Sequence, residues 1–141
     1  MEASFELHPL LVKDCIEIMD LPLSRILLMN DKSYPWLILV PRVSDVTDIY
    51  QLEWEDQQQL LNESSMISEV MMQLFDGKKM NVAALGNICP QLHVHHIVRK
   101  EGDNAWPAPV WGAAPPESYS EAEQGALKQK LMQTIEVIVS K

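Results

Sequence analysis

Positive charge is scarce in this 141-residue chain: 11 Lys and Arg stand against 20 Asp and Glu, a net charge of −9 at pH 7. A nucleic-acid polymer is normally held by a basic surface, so the deficit speaks against non-specific binding of DNA or RNA. A mononucleotide is still allowed, because it needs only a local pocket. Cysteine is nearly absent too. Cys15 and Cys89 fall in apolar surroundings and are too few for a disulfide scaffold, which points to reduced, intracellular thiols. No stretch approaches the roughly 18 apolar residues of a membrane-spanning helix, so no membrane partner is expected. Met1-Glu2-Ala3-Ser4 opens no basic region followed by a long apolar run, and no signal peptide is read. The expected compartment is the cytoplasm. Internal repeats and low-complexity tracts are also missing.

What is present fits a soluble globular protein of one domain's length, with 47% hydrophobic and 22% charged residues. Residues 5–12 mix apolar residues around Pro9 and give no clear element. Within Leu11–Leu21, the short alternating segment Cys15 to Asp20 reads as an edge strand, ended by Pro22. Ser24 to Asn30 reads as a strand closed by the turn signal Asn30-Asp31-Lys32-Ser33, and Trp36 to Val40 as a central strand stopped by Pro41; together they make a hairpin. From Trp54 to Phe75 the period changes. Leu60, Ile67, Met71 and Leu74 form a helical stripe, widened by Leu61, Val70 and Phe75, with Gly77 placed to end the helix in the left-handed conformation. Glu53, Glu55 and Asp56 suit a solvated helix start. Met66, Met71 and Met72 read as core or dimer interface. Strand character returns from Met80 to Leu85, and a loop follows over Gly86 to Pro90. Four of the nine prolines and two tryptophans lie in residues 104–119, an ordered surface loop. Ser120 and Glu123 then form a capping box for a helix carrying Leu127, Leu131, Ile135 and Ile138.

The chain's chemistry is concentrated in Gln91-Leu92-His93-Val94-His95-His96-Ile97-Val98. Polar and apolar residues alternate, as on a half-buried strand. One face carries Gln91, His93, His95 and Ile97 and is expected to front a groove. The other carries Leu92, Val94, His96 and Val98 and is expected to face the core, with His96 satisfied by a neighbour. His93 and His95 stand about 6.6 Å apart along such a strand, a spacing that a phosphate-sized group can bridge. Catalysis and metal binding both fit two imidazoles so placed. His-x-His on a strand also ligates metals in cupin-like barrels, but that reading wants a further ligand downstream, and the remaining histidine is His8. Arg99 reads as a strand-end surface charge.

These residues, followed closely by Arg99-Lys100-Glu101-Gly102-Asp103, resemble the histidine triad superfamily of nucleotide hydrolases and transferases, whose signature is three histidines alternating with apolar residues. The hairpin around Asn30, the helix over 54–75 and the strand carrying Asn81 come in the family's order. The Trp106-Pro107 to Trp111-Gly112 stretch is similar to a bacterial subgroup resembling diadenosine tetraphosphate hydrolases. The resemblance covers residues 5–112. The elements themselves read as an α+β fold, an antiparallel sheet of about five strands covered by a long central helix with a C-terminal helix added, and the resemblance makes that sheet like the family's. Residues 1–112 then form the nucleotide-binding domain, and 113–141 a helical extension packed on it.

For function, the resemblance implies a phosphoanhydride or phosphoramidate hydrolase acting on a nucleotide with an AMP-like moiety, possibly a dinucleoside polyphosphate. His93 would be the nucleophile and form a nucleotidyl-histidine. An imidazole suits this work, because its pKa lies near 7 and covalent catalysis splits one hard displacement into two easier ones. His95 would bond phosphoryl oxygens or protonate the leaving group. Asn87 and Asn81 would contact phosphate, and Asn30 ribose. Metal and cofactor are not implied; a homodimer is. Two departures stand out. The triad's first histidine is Gln91, an orienting replacement that cannot relay a proton at neutral pH, and the additional histidine before the second hairpin strand is Trp36. Gln91 therefore opens an alternative, a nucleotide-binding protein with little or no turnover.

Overall fold

The computed structural model describes residues 5–140. Five antiparallel strands form one sheet: β1 (Cys15–Asp20), β2 (Ser24–Met29), β3 (Trp36–Pro41), β4 (Lys79–Ala83) and β5 (Val94–Arg99), in the order β1-β2-β3-β5-β4. Three α-helices accompany it: α1 (Pro9–Asp14), α2 (Trp54–Leu74) and α3 (Glu121–Val139). Among the described residues no helix is long and apolar enough to cross a membrane.

Side-chain alternation splits the sheet into two apolar layers. Ile26, Leu28, Leu37, Leu39, Val94 and Val98 face α2 and α3, where Leu60, Ile67, Val70, Met71, Leu131 and Ile135 meet them. Leu27, Trp36, Ile38, Val40 and Ile97 face the other way, against Leu11 of α1 and Tyr34, Cys89 and Val110 of the loops. The expected groove face is therefore a second apolar layer, and β5 is buried along its whole length. The C-terminal helix shares the main core, its start fixed by both halves of the capping box: Glu123 N–H donates to Ser120 Oγ and Ser120 N–H to Glu123 Oε1.

Several expectations shift. Pro9–Asp14, where the sequence gives no clear element, is a helix, because Pro9 occupies the first turn and His8 Nδ1 accepts from Leu10 N–H, while the expected edge strand over Cys15 to Asp20 is found as β1. Regular pairing of the histidine strand begins at Val94 instead of Gln91, since Leu92 N–H is bound by the Val46 carbonyl. Leu61 lies on the solvent side of α2, and Ile138 is exposed on α3. Past α2 the left-handed residue is Asp76, at φ 51°. Gly77 is needed for a different reason: a Cβ there would lie 2.6 Å from both Met72 Sδ and Val98 Cγ1. Arg99, expected at the surface, is 1% exposed. Its fork meets Asp103 at 2.8 and 3.0 Å, and Nη1 donates to Asn81 Oδ1 at 2.9 Å. The rings of Tyr34 and Trp106 lie 5.8 and 5.7 Å from its guanidinium carbon. Hydrogen bonds from Arg99 hold the Asp103 carboxyl down at about 2.

Candidate active site

His93 lies just before β5 and His95 within it, their ring centres 4.9 Å apart and edge-on. They are 7% and 5% exposed. The partners of each ring settle where its proton sits. His93 Nδ1 is 2.7 Å from the main-chain carbonyl of Gln91. A carbonyl only accepts, so Nδ1 carries the proton and Nε2 keeps its lone pair. His95 is the reverse: Trp36 Nε1–H donates to its Nδ1 at 3.0 Å, which puts the proton on Nε2. Burial, then the charges of His93 and His96, push the His95 pKa down to about 3. The pair thus offers one nucleophilic nitrogen beside one N–H donor.

The remaining triad-strand residues hold the frame. His96 is fully buried, its Nδ1–H given to the Val94 carbonyl and its Nε2 accepting from Ser64 Oγ at 2.7 Å. Burial pushes its pKa down to about 4. The Gln91 side chain turns away from His93. It accepts from His8 N–H and donates to the Glu6 carbonyl, pinning the segment ahead of α1. Gln91 orients His93 with its backbone.

Two cavities meet at His93. The larger, about 380 Å³, is lined by Leu10, Leu11, Asp14, Cys15, Met29, Ile38 and Ile88, together with Asn87, His93, His95 and Trp111. The smaller, about 220 Å³, is lined by Thr47, Asp48, Tyr50, Gln91 and His93. Leu85 and Gly86 border both, and Gly86 takes a φ of 75°, a conformation that favours glycine. Of the three expected amides, only Asn87 reaches the site. Asn81 gives its Oδ1 to Arg99, and Asn30 Oδ1 accepts from Tyr119 N–H, tying the C-terminal segment to the β2–β3 turn. One participant was missed from the sequence. Trp111, from the proline-rich loop, packs edge-on 5.1 Å from His95 and 5.9 Å from Trp36. Its advance signs were a tryptophan in a segment with no regular structure to bury it and the place of that segment in the family resemblance. Among the described residues no group of three or more His, Cys, Asp or Glu is arranged to hold a metal ion.

A five-stranded antiparallel sheet presenting paired histidines beside a cavity defines the class of histidine triad proteins. Residues 11–102 match the family model of the HIT domain, and the chain belongs to this family of nucleotide hydrolases and transferases. A histidine triad protein from Marinobacter aquaeolei VT8 is 56% identical, with 94% of this chain and 96% of that one covered and a TM-score of 0.91. Similar proteins from Bradyrhizobium japonicum and Sinorhizobium meliloti 1021 are 44% and 40% identical. They cover 93% of this chain, and 98% and 97% of their own, each with a TM-score of 0.90. No functionally curated protein matches the chain.

Proposed function

We propose that this protein hydrolyses a phosphoanhydride or phosphoramidate bond of a nucleotide through a nucleotidyl-histidine at His93. The observation that carries the reading is the His93 ring itself, its Nδ1–H fixed on the Gln91 carbonyl and its free Nε2 at the junction of two cavities. Nε2 attacks the α-phosphorus, a P–N bond forms, and the bond to the leaving group breaks, the group departing as a phosphate anion or, from a phosphoramidate, as an amine that takes its proton from solvent. Water then cleaves the P–N bond, releasing the nucleotide and restoring the neutral ring. His95, neutral with its proton on Nε2, donates to a non-bridging oxygen. Asn87 adds an amide at the phosphate end. The nucleoside occupies the larger cavity and the leaving group the smaller, an arrangement suited to a two-sided substrate such as a dinucleoside polyphosphate. The protein acts as a homodimer.

One observation favours a second reading, nucleotide binding with little turnover. The residue at the triad's first position, Gln91, has its amide held by Glu6 and His8, and an amide relays no proton at neutral pH. Multiple turnover of a nucleotidyl phosphoramidate or dinucleoside polyphosphate, abolished in His93→Ala, is the expected result. Binding of AMP with no turnover by the native protein would leave only the second reading.

A further inference from the structure

The wall of the larger cavity is mostly apolar, and one lining residue carries a formal charge: Asp14, the last residue of α1. It stands at the end far from the histidines. His95 pairs with Ile38 of β3, whereas Cys15, next to Asp14, pairs with Met29 across β1 and β2. The cavity therefore crosses β3 and β2 to reach β1, three strand spacings of about 4.8 Å each. With phosphate at His93 and His95, the ribose lies over the middle strands and the base reaches the Asp14 end.

The fold makes no use of this carboxylate. It is exposed, and no donor or cation among the described residues engages it. A helix C-terminus disfavours an anion, so the placement costs stability instead of adding to it. Burial, then the charge of Asp14, pushes the neighbouring Cys15 thiol up to about 12, so the thiol stays neutral.

We propose that Asp14 is the base-selecting residue and that it selects guanine; the inference rests on the nucleotide reading above. Guanine presents N1–H and the N2 amine side by side, two donors that one carboxylate accepts together. Adenine offers a single amine beside an acceptor nitrogen, which repels the second carboxylate oxygen. Leu10 and Met29 supply apolar surface for the faces of the ring. Ribose is the other group a carboxylate commonly holds, but it follows phosphate directly and falls short of β1.

Calorimetric titration of the native protein and of Asp14→Leu with GMP, IMP and AMP tests the assignment. The native protein is expected to bind GMP about tenfold more tightly than AMP, with IMP, which lacks the N2 amine, between them. In Asp14→Leu the GMP-to-AMP ratio falls to near one. Equal affinities in the native protein, or a ratio that survives the substitution, would overturn the base assignment and leave the nucleotide reading standing. Failure of all three nucleotides to bind at millimolar concentration would overturn both.

Discussion

At the residue scale, the two site histidines are distinguished by one proton each. The Gln91 carbonyl and the Trp36 indole impose opposite tautomers, so identical side chains take complementary roles. Burial has a second effect, on stability. His95 and His96 have their pKa values lowered from 6.5 to about 3 and about 4, in both cases chiefly by burial. Above pH 6.5 the rings are neutral in folded and unfolded chains alike, and neither state gains. Below it the unfolded chain takes up protons that the fold refuses. Stability then falls with pH, until the folded rings themselves titrate near 4 and 3. Each ring contributes a slope of about 1.4 kcal/mol per pH unit, so the two together should remove about 2–3 kcal/mol between pH 7.5 and 5.5. Equilibrium urea unfolding at the two pH values measures the loss. A flat profile would show that these rings accept protons inside the fold.

At the scale of elements, what could be read in advance was what repeats. The stripe of α2 runs through 21 residues, enough turns for its period to emerge, and β2 and β3 were bounded by a turn signal and a proline. α1 has six residues, too few for any period, and its helix depends on His8 and Pro9. Contacts made at long separation left no trace in the sequence. Glu63 is 3% exposed because the turn between β1 and β2 leaves two N–H groups, those of Leu23 and Ser24, that its carboxylate accepts. Asn30 and Asn81 sat at positions that resembled ligand contacts, but the C-terminal segment and Arg99 claim their oxygens. The histidine pair was legible because its members are two residues apart in one stretch, whereas Trp111 arrives from another part of the chain. Leu131 and Ile138 belong to one expected stripe of α3, yet Leu131 is buried at 1% and Ile138 is exposed at 40%. Leu131→Ala should cost about 2–4 kcal/mol and Ile138→Ala less than about 0.5 kcal/mol in the same urea measurement. Equal costs would mean that α3 does not sit in the main core.

At the scale of the whole molecule, the sheet has two free edges, and they are not alike. β1 is broken by a register shift between Glu17 and Met19 and is fringed with charge, Arg25 pairing with Glu17 at 3.2 Å and with Asp20 at 2.9 Å. Bulges and charges of this kind are how an edge strand resists pairing with another chain. β4 has neither protection on its central residues. Its pairing to β5 is regular from Lys79 to Ala83, Val82 is 51% exposed, and Leu85 and Ile88 beyond it are exposed as well. An unblunted edge with apolar side chains on it is a surface for pairing. Two copies meeting at β4 antiparallel would satisfy its free main-chain groups, cover Val82 and extend the sheet through both subunits. The proposed homodimer is therefore expected to form there, and Val82→Lys should shift it toward monomer in sedimentation velocity at micromolar concentration. A native protein that sediments as a monomer across that range would remove the dimer. A dimer untouched by Val82→Lys would move the interface to another face, with the site chemistry at His93 left as it stands.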